Sequence, residues 1–214
     1  MNCHICDKAT ESFVHEKTNI TYYHCKACEY IFKSPECYQD FDTQKERYNL
    51  HTNDENDEGY KAYKAYFQRF LDFTLPLVGR PKTALDFGCG ESSILAKMLE
   101  VKGIGCEYYD PIYHPNTLNN SKKYELIVST EVFEHLHQPR EVFQSLLGRL
   151  EGGGYLALQT QFHTNDIEIF KKWYYHQDPT HIVFFTANTF KVLCERYACK
   201  FVADNGKNMV LIKK

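Results

Sequence analysis

Thr83-Ala84-Leu85-Asp86-Phe87-Gly88-Cys89-Gly90 is an apolar run that stops on two closely spaced glycines. Alone, the run reads as a buried strand over Thr83–Phe87. Glycines at its end let the backbone turn sharply and come close to a ligand. In sheets with helices on both faces, ligands bind at the carboxyl ends of the strands. A dinucleotide site would have a third glycine where Ser93 stands, and would bring a pyrophosphate to the start of the next helix. Glu91 in the loop would repel that anion. The acidic loop suits a cationic or zwitterionic cofactor better.

Outward from this loop, strand and helix signals alternate. A helix is expected from about Ser93 to Glu100, a second strand over Ile104–Tyr109 and a third over Leu126–Thr130. Pro139 suits the first turn of a helix running to about Leu150. Tyr155–Thr160 reads as a strand, and Thr186 as the N-cap of a helix to about Tyr197. Phe201–Ala203 and Met209–Ile212 flank Asp204-Asn205-Gly206-Lys207, a hairpin signal. The alternation predicts an α/β fold, doubly wound around a mainly parallel sheet with one antiparallel strand. The second strand ends in Tyr109-Asp110-Pro111, where a carboxylate can accept both hydroxyls of a ribose or simply start an Asp-Pro turn.

Upstream, helical spacing of Tyr63, Tyr66, Phe67, Phe70 and Leu71 predicts a helix from Tyr60 that Pro76 and Gly79 should end. That stripe reads first as a packing face and can also close over the cofactor. Three parts follow: a cysteine-rich piece over 1–38, an acidic connector and helix over 39–79, and a core over 80–214. Residues 39–60 hold seven acidic side chains against two basic ones, which reads as solvated chain.

The first piece holds Cys3-x-x-Cys6 and Cys25-x-x-Cys28. Two residues between thiols let both reach one ion at about 2.3 Å, and four thiolates favour tetrahedral Zn²⁺. A redox dithiol would sit in a strand–helix unit, which this piece lacks. The expectation is a small zinc ribbon with a structural metal, since so short a piece buries little surface alone. With four basic and five acidic residues over 1–38, it offers phosphates little attraction.

Nine cysteines among 214 residues are too few for a disulfide scaffold. No apolar run of eighteen residues exists, and the acidic start does not look like a secretory signal. A cytoplasmic location with reduced cysteines is the expectation.

In combination, Leu85–Gly90, Tyr109-Asp110-Pro111, Tyr124–Leu136 and Gly152-Gly153-Gly154-Tyr155-Leu156 make the core resemble the class I S-adenosylmethionine-dependent methyltransferases. The resemblance implies a Rossmann-like core with S-adenosyl-L-methionine as cofactor. Asp86, Gly88 and Gly90 would line its methionine and ribose part, Asp110 would bind the ribose, and Glu131 would border the site. The family's third loop glycine is Ser92 here. Only thirteen residues separate Asp110 from Tyr124, where the family places a full helix and strand. The third strand is therefore expected to be reduced or absent, with adenine contacts near Ile112 or Leu118.

Glu131-x-x-Glu134-His135 follows the third strand, and one helical turn would put the three on one face for a divalent cation. With His181 downstream, the set resembles the metal-dependent O-methyltransferases, including those acting on ubiquinone precursors or on small-RNA termini. The resemblance implies Glu131, Glu134, His135 and His181 as ligands of Mg²⁺ or Mn²⁺. The same Glu-His-Leu also occurs in methyltransferases without metal, where both side chains are structural. His181 and His135 are the candidate catalytic groups, His181 as a general base beside Asp178. His163, Trp173, Tyr174, Tyr175 and His176 read as a packed lid, or as aromatics that hold a planar substrate. The expected reaction is O-methylation of a small molecule. RNA methylation guided by the ribbon, and a non-catalytic cofactor-binding module, are the alternatives.

Overall fold

The computed structural model describes residues 1–39, 43, 45, 58–119 and 121–214. Most of the acidic connector expected over 39–60 lies outside them. In the ribbon, β1 (Glu11–His15), β2 (Ile20–Cys25) and β3 (Tyr30–Lys33) form an antiparallel meander. Next comes α1 (Glu58–Val78). The core then runs β4 (Thr83–Phe87), α2 (Ile94–Val101), β5 (Gly105–Tyr109), β6 (Tyr124–Thr130), α3 (Pro139–Arg149) and β7 (Leu150–Gln159). A short α4 (Ile167–Phe170) and a two-residue β8 (Val183–Phe184) precede α5 (Ala187–Arg196), β9 (Lys200–Asp204) and β10 (Met209–Lys213).

The central sheet has six strands in the order β5-β4-β6-β7-β10-β9. The first four run parallel, and β10 alone pairs antiparallel to its neighbours, as the terminal hairpin predicts. Period-two alternation sends successive side chains to opposite faces. Leu85, Ile127, Leu156, Leu158, Val210 and Ile212 pack with α3 and α5 through Phe143 and Phe190. Ala84, Leu126, Val128, Ala157 and Leu211 pack with α1 and α2 through Phe70, Leu71 and Leu95. Helices therefore cover both faces. Among the described residues β5 is the sheet edge, so the third strand is absent. In its place the chain after β5 makes a turn bridged between Asp110 and His114.

Helix α1 ends at Val78, where Pro76 and Gly79 together were expected to stop it. A proline in the last turn forfeits one backbone bond there, and the stop comes at Gly79, whose φ of 90° suits glycine. Strand β7 starts at Leu150 instead of Tyr155 and takes in all three glycines. The third lies in the pleat where a Cβ would stand 3.1 Å from two carbonyl oxygens of β6, so the backbone itself fills that space. These glycines in β7 are one departure from expectation; the other concerns Glu131 and is taken up with the site.

The ribbon is not a free appendage. Its edge strand β3 pairs with β8, Ile31 opposite Phe184 and Phe32 opposite Val183, giving a four-stranded sheet. Tyr22, Ile31, Phe170, Tyr175 and Phe184 form one buried cluster across the junction. Thr186 caps α5 in a reciprocal box with Thr189, and its hydroxyl donates to Glu29 of the ribbon at 2.8 Å. Thr186→Ala should cost about 1 kcal/mol or somewhat more, a fall in Tm of a few degrees. A thermal melt matching wild type would contradict this role. No described helix is long and apolar enough to cross a membrane.

Candidate active site

The glycine loop is tied to the neighbouring strand end before any ligand is considered. Gly88 and Cys89 donate backbone N–H groups to the Tyr109 carbonyl at 2.8 and 3.1 Å. Gly90 N–H donates to Asp110 Oδ2 at 3.0 Å. The other Asp110 oxygen accepts from the N–H groups of Ile112 (2.8 Å) and Tyr113 (3.1 Å). This carboxylate thus holds the glycine loop and starts the Asp-Pro turn at once. Gly88 and Gly90 have φ of 80° and 64°, the left-handed region glycine tolerates best.

Asp86 is 1% exposed and accepts from the Ala96 N–H at 3.2 Å, holding the start of α2 against the strand. Burial pushes its pKa up to about 7. A carboxyl raised in the folded state stabilises fully below its unfolded pKa of about 4 and loses that contribution as pH climbs through 7. The share of stability that Asp86 contributes should therefore be lost between pH 4 and 7, against the opposite trend of the buried histidines held at about 4, and Asp86→Asn should remove that share. Tm measured against pH checks it; parallel curves would contradict it.

Above this loop opens a cavity of about 680 Å³. Asp86, Gly88, Gly90, Asp110 and Ile112 line one end, and Tyr63 and Phe67 of α1 close over it. The α1 stripe therefore divides, with Phe70 and Leu71 in the core and the residues before them at the site. Ile112 reaches the cavity; Leu118 packs against the opposite core cluster. The far end holds Glu131, His135 and His181, which a second cavity of about 470 Å³ shares in part through Glu131, Asp178 and His181.

That far end is a buried polar cluster. Donor atoms of Glu134, His135 and His181 lie within 4.8 Å of one another. Glu131 stands outside that set, contrary to the helical turn expected from its spacing. It precedes the Phe133–His135 turn with φ of 54°, and its N–H bonds to Gln159 across the sheet. Tyr66 donates to Glu131 Oε1 at 2.6 Å, and Tyr175 lies 2.6 Å from Glu134 Oε1 and 3.0 Å from Glu131 Oε2. A phenol has one proton to donate, so one glutamate must itself be protonated to satisfy both contacts. Burial and then the neighbouring Glu134 push Glu131 up to about 8, which supplies that proton. Glu134 Oε2 is buried with no hydrogen-bond partner. Burial keeps both imidazoles neutral, with His181 pushed down to about 4. Their Nδ1 atoms meet backbone carbonyls, His135 that of Thr180 at 3.0 Å and His181 that of Tyr175 at 2.7 Å.

The model of a methyltransferase domain matches residues 60–203, two thirds of the chain. The chain belongs to the methyltransferase domain family. No curated protein matches it in sequence. Among solved structures, the plantazolicin methyltransferase BpumL, in complex with a monoazolic desmethylPZN analogue and SAH, is 13% identical with a TM-score of 0.52. That match covers 81% of this chain and 91% of BpumL. Human N-acetylserotonin methyltransferase in complex with SAM is 11% identical with a TM-score of 0.53, over 68% of this chain and 50% of its own. At such identity these likenesses concern the fold.

This methyltransferase carries its four amino-terminal cysteines in two matching turns. Asp7 N–H bonds to the Cys3 carbonyl and Glu29 N–H to the Cys25 carbonyl, and Asp7 and Glu29 both have φ near 60°. The turns bring Cys3 Sγ to 3.5 Å from Cys28 Sγ and Cys6 Sγ to 3.4 Å from Cys25 Sγ, with all four within 4.8 Å. Thiolates at about 2.3 Å from a tetrahedral zinc stand about 3.8 Å apart, so the set fits that ion. His24 is engaged elsewhere, on Asn165 at 2.8 Å.

In the methyltransferase, the 161–180 segment meets the ribbon on one side and lines the second cavity through Gln161, Tyr174, Tyr175, Gln177 and Asp178. His163 bonds to the Glu29 carbonyl at 2.8 Å and His176 to the Tyr22 hydroxyl at 3.2 Å. Tyr175 faces the glutamates, and Tyr174 is 67% exposed at the second cavity. Tyr66 and Tyr175 were legible only as stripe and lid aromatics. Nothing in their spacing told that their hydroxyls meet one carboxylate.

Proposed function

We propose that this methyltransferase binds S-adenosyl-L-methionine in the 680 Å³ cavity and transfers its methyl group to an oxygen of a small molecule entering beside Glu131 and His181. The carrying observation is the lining of that cavity, which joins the glycine loop and Asp110 to the buried carboxylate–imidazole cluster.

Asp86, Gly88 and Gly90 face the methionine and ribose side, and Ile112 is placed for the adenine. Asp110 Oδ1 is filled by its two backbone donors, and Oδ2 keeps one lone pair beyond its bond to Gly90, so a ribose hydroxyl can share the carboxylate there. Asp110, already pinned by three N–H groups, presents a fixed acceptor without ordering cost. The methyl carbon is attacked in line, so catalysis is mainly the holding of donor and acceptor on one axis. Without a cation, Nε2 of the neutral His181 or His135 can accept the proton the acceptor oxygen loses; with one, both nitrogens are ligands and that proton passes to water.

Glu134, His135 and His181, one carboxylate and two imidazoles, form a donor set that can hold a divalent cation, Mn²⁺ sooner than the oxygen-seeking Mg²⁺, and the unpartnered Glu134 Oε2 is consistent with one. Glu131 would join after a shift away from Tyr175. Such an ion would lower the proton affinity of the acceptor oxygen. The four cysteines would hold one structural zinc. Location in the cytoplasm belongs to the same reading. The ribbon's near balance of charge gives nucleic acid no electrostatic purchase.

The test is methyl transfer from labelled S-adenosylmethionine to a panel of hydroxylated and amine acceptors, with and without a chelator too weak to strip the cysteine site. Label on oxygen, lost in chelator and restored by Mg²⁺ or Mn²⁺, is expected. Label on nitrogen alone would contradict the oxygen assignment, and undiminished transfer in chelator would contradict the cation.

A further inference from the structure

Lys33 is the last residue of β3 and is 2% exposed, although it carries an ammonium group. Lysine is rarely buried unless paired. Its Nζ donates to the Asp178 carbonyl at 3.0 Å, and its backbone N–H donates to the Ile182 carbonyl at 2.8 Å. One ribbon residue therefore grips both ends of the segment 178–182.

That segment is the wall between the two cavities. Asp178 and His181 line both, and Thr180 lines the larger. Its turn is built on Asp178, whose Oδ1 accepts from the Thr180 N–H (2.9 Å) and hydroxyl (2.7 Å). The Asp178 carbonyl accepts from the His181 N–H at 3.2 Å as well as from Lys33. On the other side, the Thr180 carbonyl meets His135 Nδ1 at 3.0 Å and the Ile182 N–H meets the Glu134 carbonyl at 2.9 Å. The imidazole of His181 hangs from the Tyr175 carbonyl, one residue from the flank of His176 that Tyr22 of the ribbon holds.

We infer that the ribbon is the scaffold of the acceptor-side wall, and that Lys33 is the positioning residue through which it sets the place of Asp178 and His181. Calling that side the acceptor side rests on the reading above; the grip itself does not. Burying an ammonium is costly, and an apolar residue of similar volume would keep or raise stability. A purely structural role would therefore be served by methionine. An ammonium aimed at one carbonyl fixes where the turn stands. The ribbon's edge is thereby used inside the molecule, in the β3–β8 pairing, and is not left open as a strand for an outside partner.

The test compares the full chain with Lys33→Met and Lys33→Arg. Thermal melts and zinc content report the fold. Titration with SAH reports the cofactor cavity. Side-chain nitrogen resonances of His181 and the emission of Trp173, the chain's single tryptophan, report the wall. Trp173 suits this because its ring lies 5.0 Å from that of Tyr175. Expected for Lys33→Met are wild-type zinc content, Tm and SAH affinity, with a shifted His181 resonance and altered Trp173 emission. Lys33→Arg, which restores a cationic donor, should bring both signals back toward wild type. Unmoved His181 and Trp173 signals in Lys33→Met would overturn the inference. So would a shift that arginine does not reverse. If the methionine variant does not fold, Lys33→Gln takes its place with the same outcomes deciding. Wild-type protein that fails to bind SAH would sink the cofactor reading while leaving the Lys33 comparison to be read on its own signals.

Discussion

Cys25→Ser should abolish stoichiometric zinc and lower the melting temperature of the whole chain, not of the ribbon alone. Cys25 is fully buried, and its thiol packs at 3.4 Å from that of Cys6. Metal bonds are folding energy for a piece this small. The ribbon core merges with the main one, since Cys3, Ile5, Cys25, Tyr30 and Phe32 belong to the same buried cluster as Leu85, Phe143 and Phe190. Loss of the proposed zinc would therefore loosen the cap of α5, which bonds to Glu29 and, through Thr189, to the Cys28 carbonyl at 2.9 Å. A loss above about 4 kcal/mol is expected, near 10 °C in Tm for a chain of this size. Elemental analysis and a melt check it together. Retained stability without zinc would show that hydrogen-bonded thiols suffice.

The second large effect is expected at Gly88. A Cβ added there would lie 2.2 Å from Val132 Cγ2, and the φ of 80° is unfavourable for any L side chain. Valine is stiff at χ1 and cannot swing clear without moving its own backbone, which leads into the Phe133–His135 turn. Gly88→Ala should thus push the glycine loop and the carboxylate–imidazole turn apart across the cavity. The strain is on the order of 1–3 kcal/mol, and SAH affinity should fall at least tenfold. Adding Val132→Ala should recover part of the affinity, because it removes the clash and leaves the φ strain. Equal affinity in Gly88→Ala and wild type would mean that the cofactor does not depend on this approach.

The core was legible where local and global signals agree. Leu85 and Asp86 sit in a run too short and apolar for anything but a buried strand, and the glycines after it mark the turn. Thr186 and Pro139 fix helix starts by chemistry that acts within one turn. The short span from Asp110 to Tyr124 left no room for a third strand, and none is found among the described residues. Glu131 was misplaced because spacing describes only a regular helix. Its φ of 54° lies outside that geometry, and the bond that holds it there comes from Gln159 on the neighbouring strand β7, 28 residues away in sequence. Lys33 was invisible as a functional residue, and Tyr175 was legible as a lid or substrate aromatic but not as a partner of the glutamates, for the same reason. Their partners, Asp178 and the two glutamates, are more than forty residues away and meet them only through the tertiary fold.

The most direct test of the central claim is calorimetric titration of SAH into the wild-type chain and into Asp110→Ala. One equivalent should bind to wild type, and the variant, which also loses the three backbone hydrogen bonds to that carboxylate, should bind markedly more weakly and melt several degrees lower while staying folded. No binding to a folded, zinc-loaded wild-type chain, or equal affinity in the two proteins, would contradict the account.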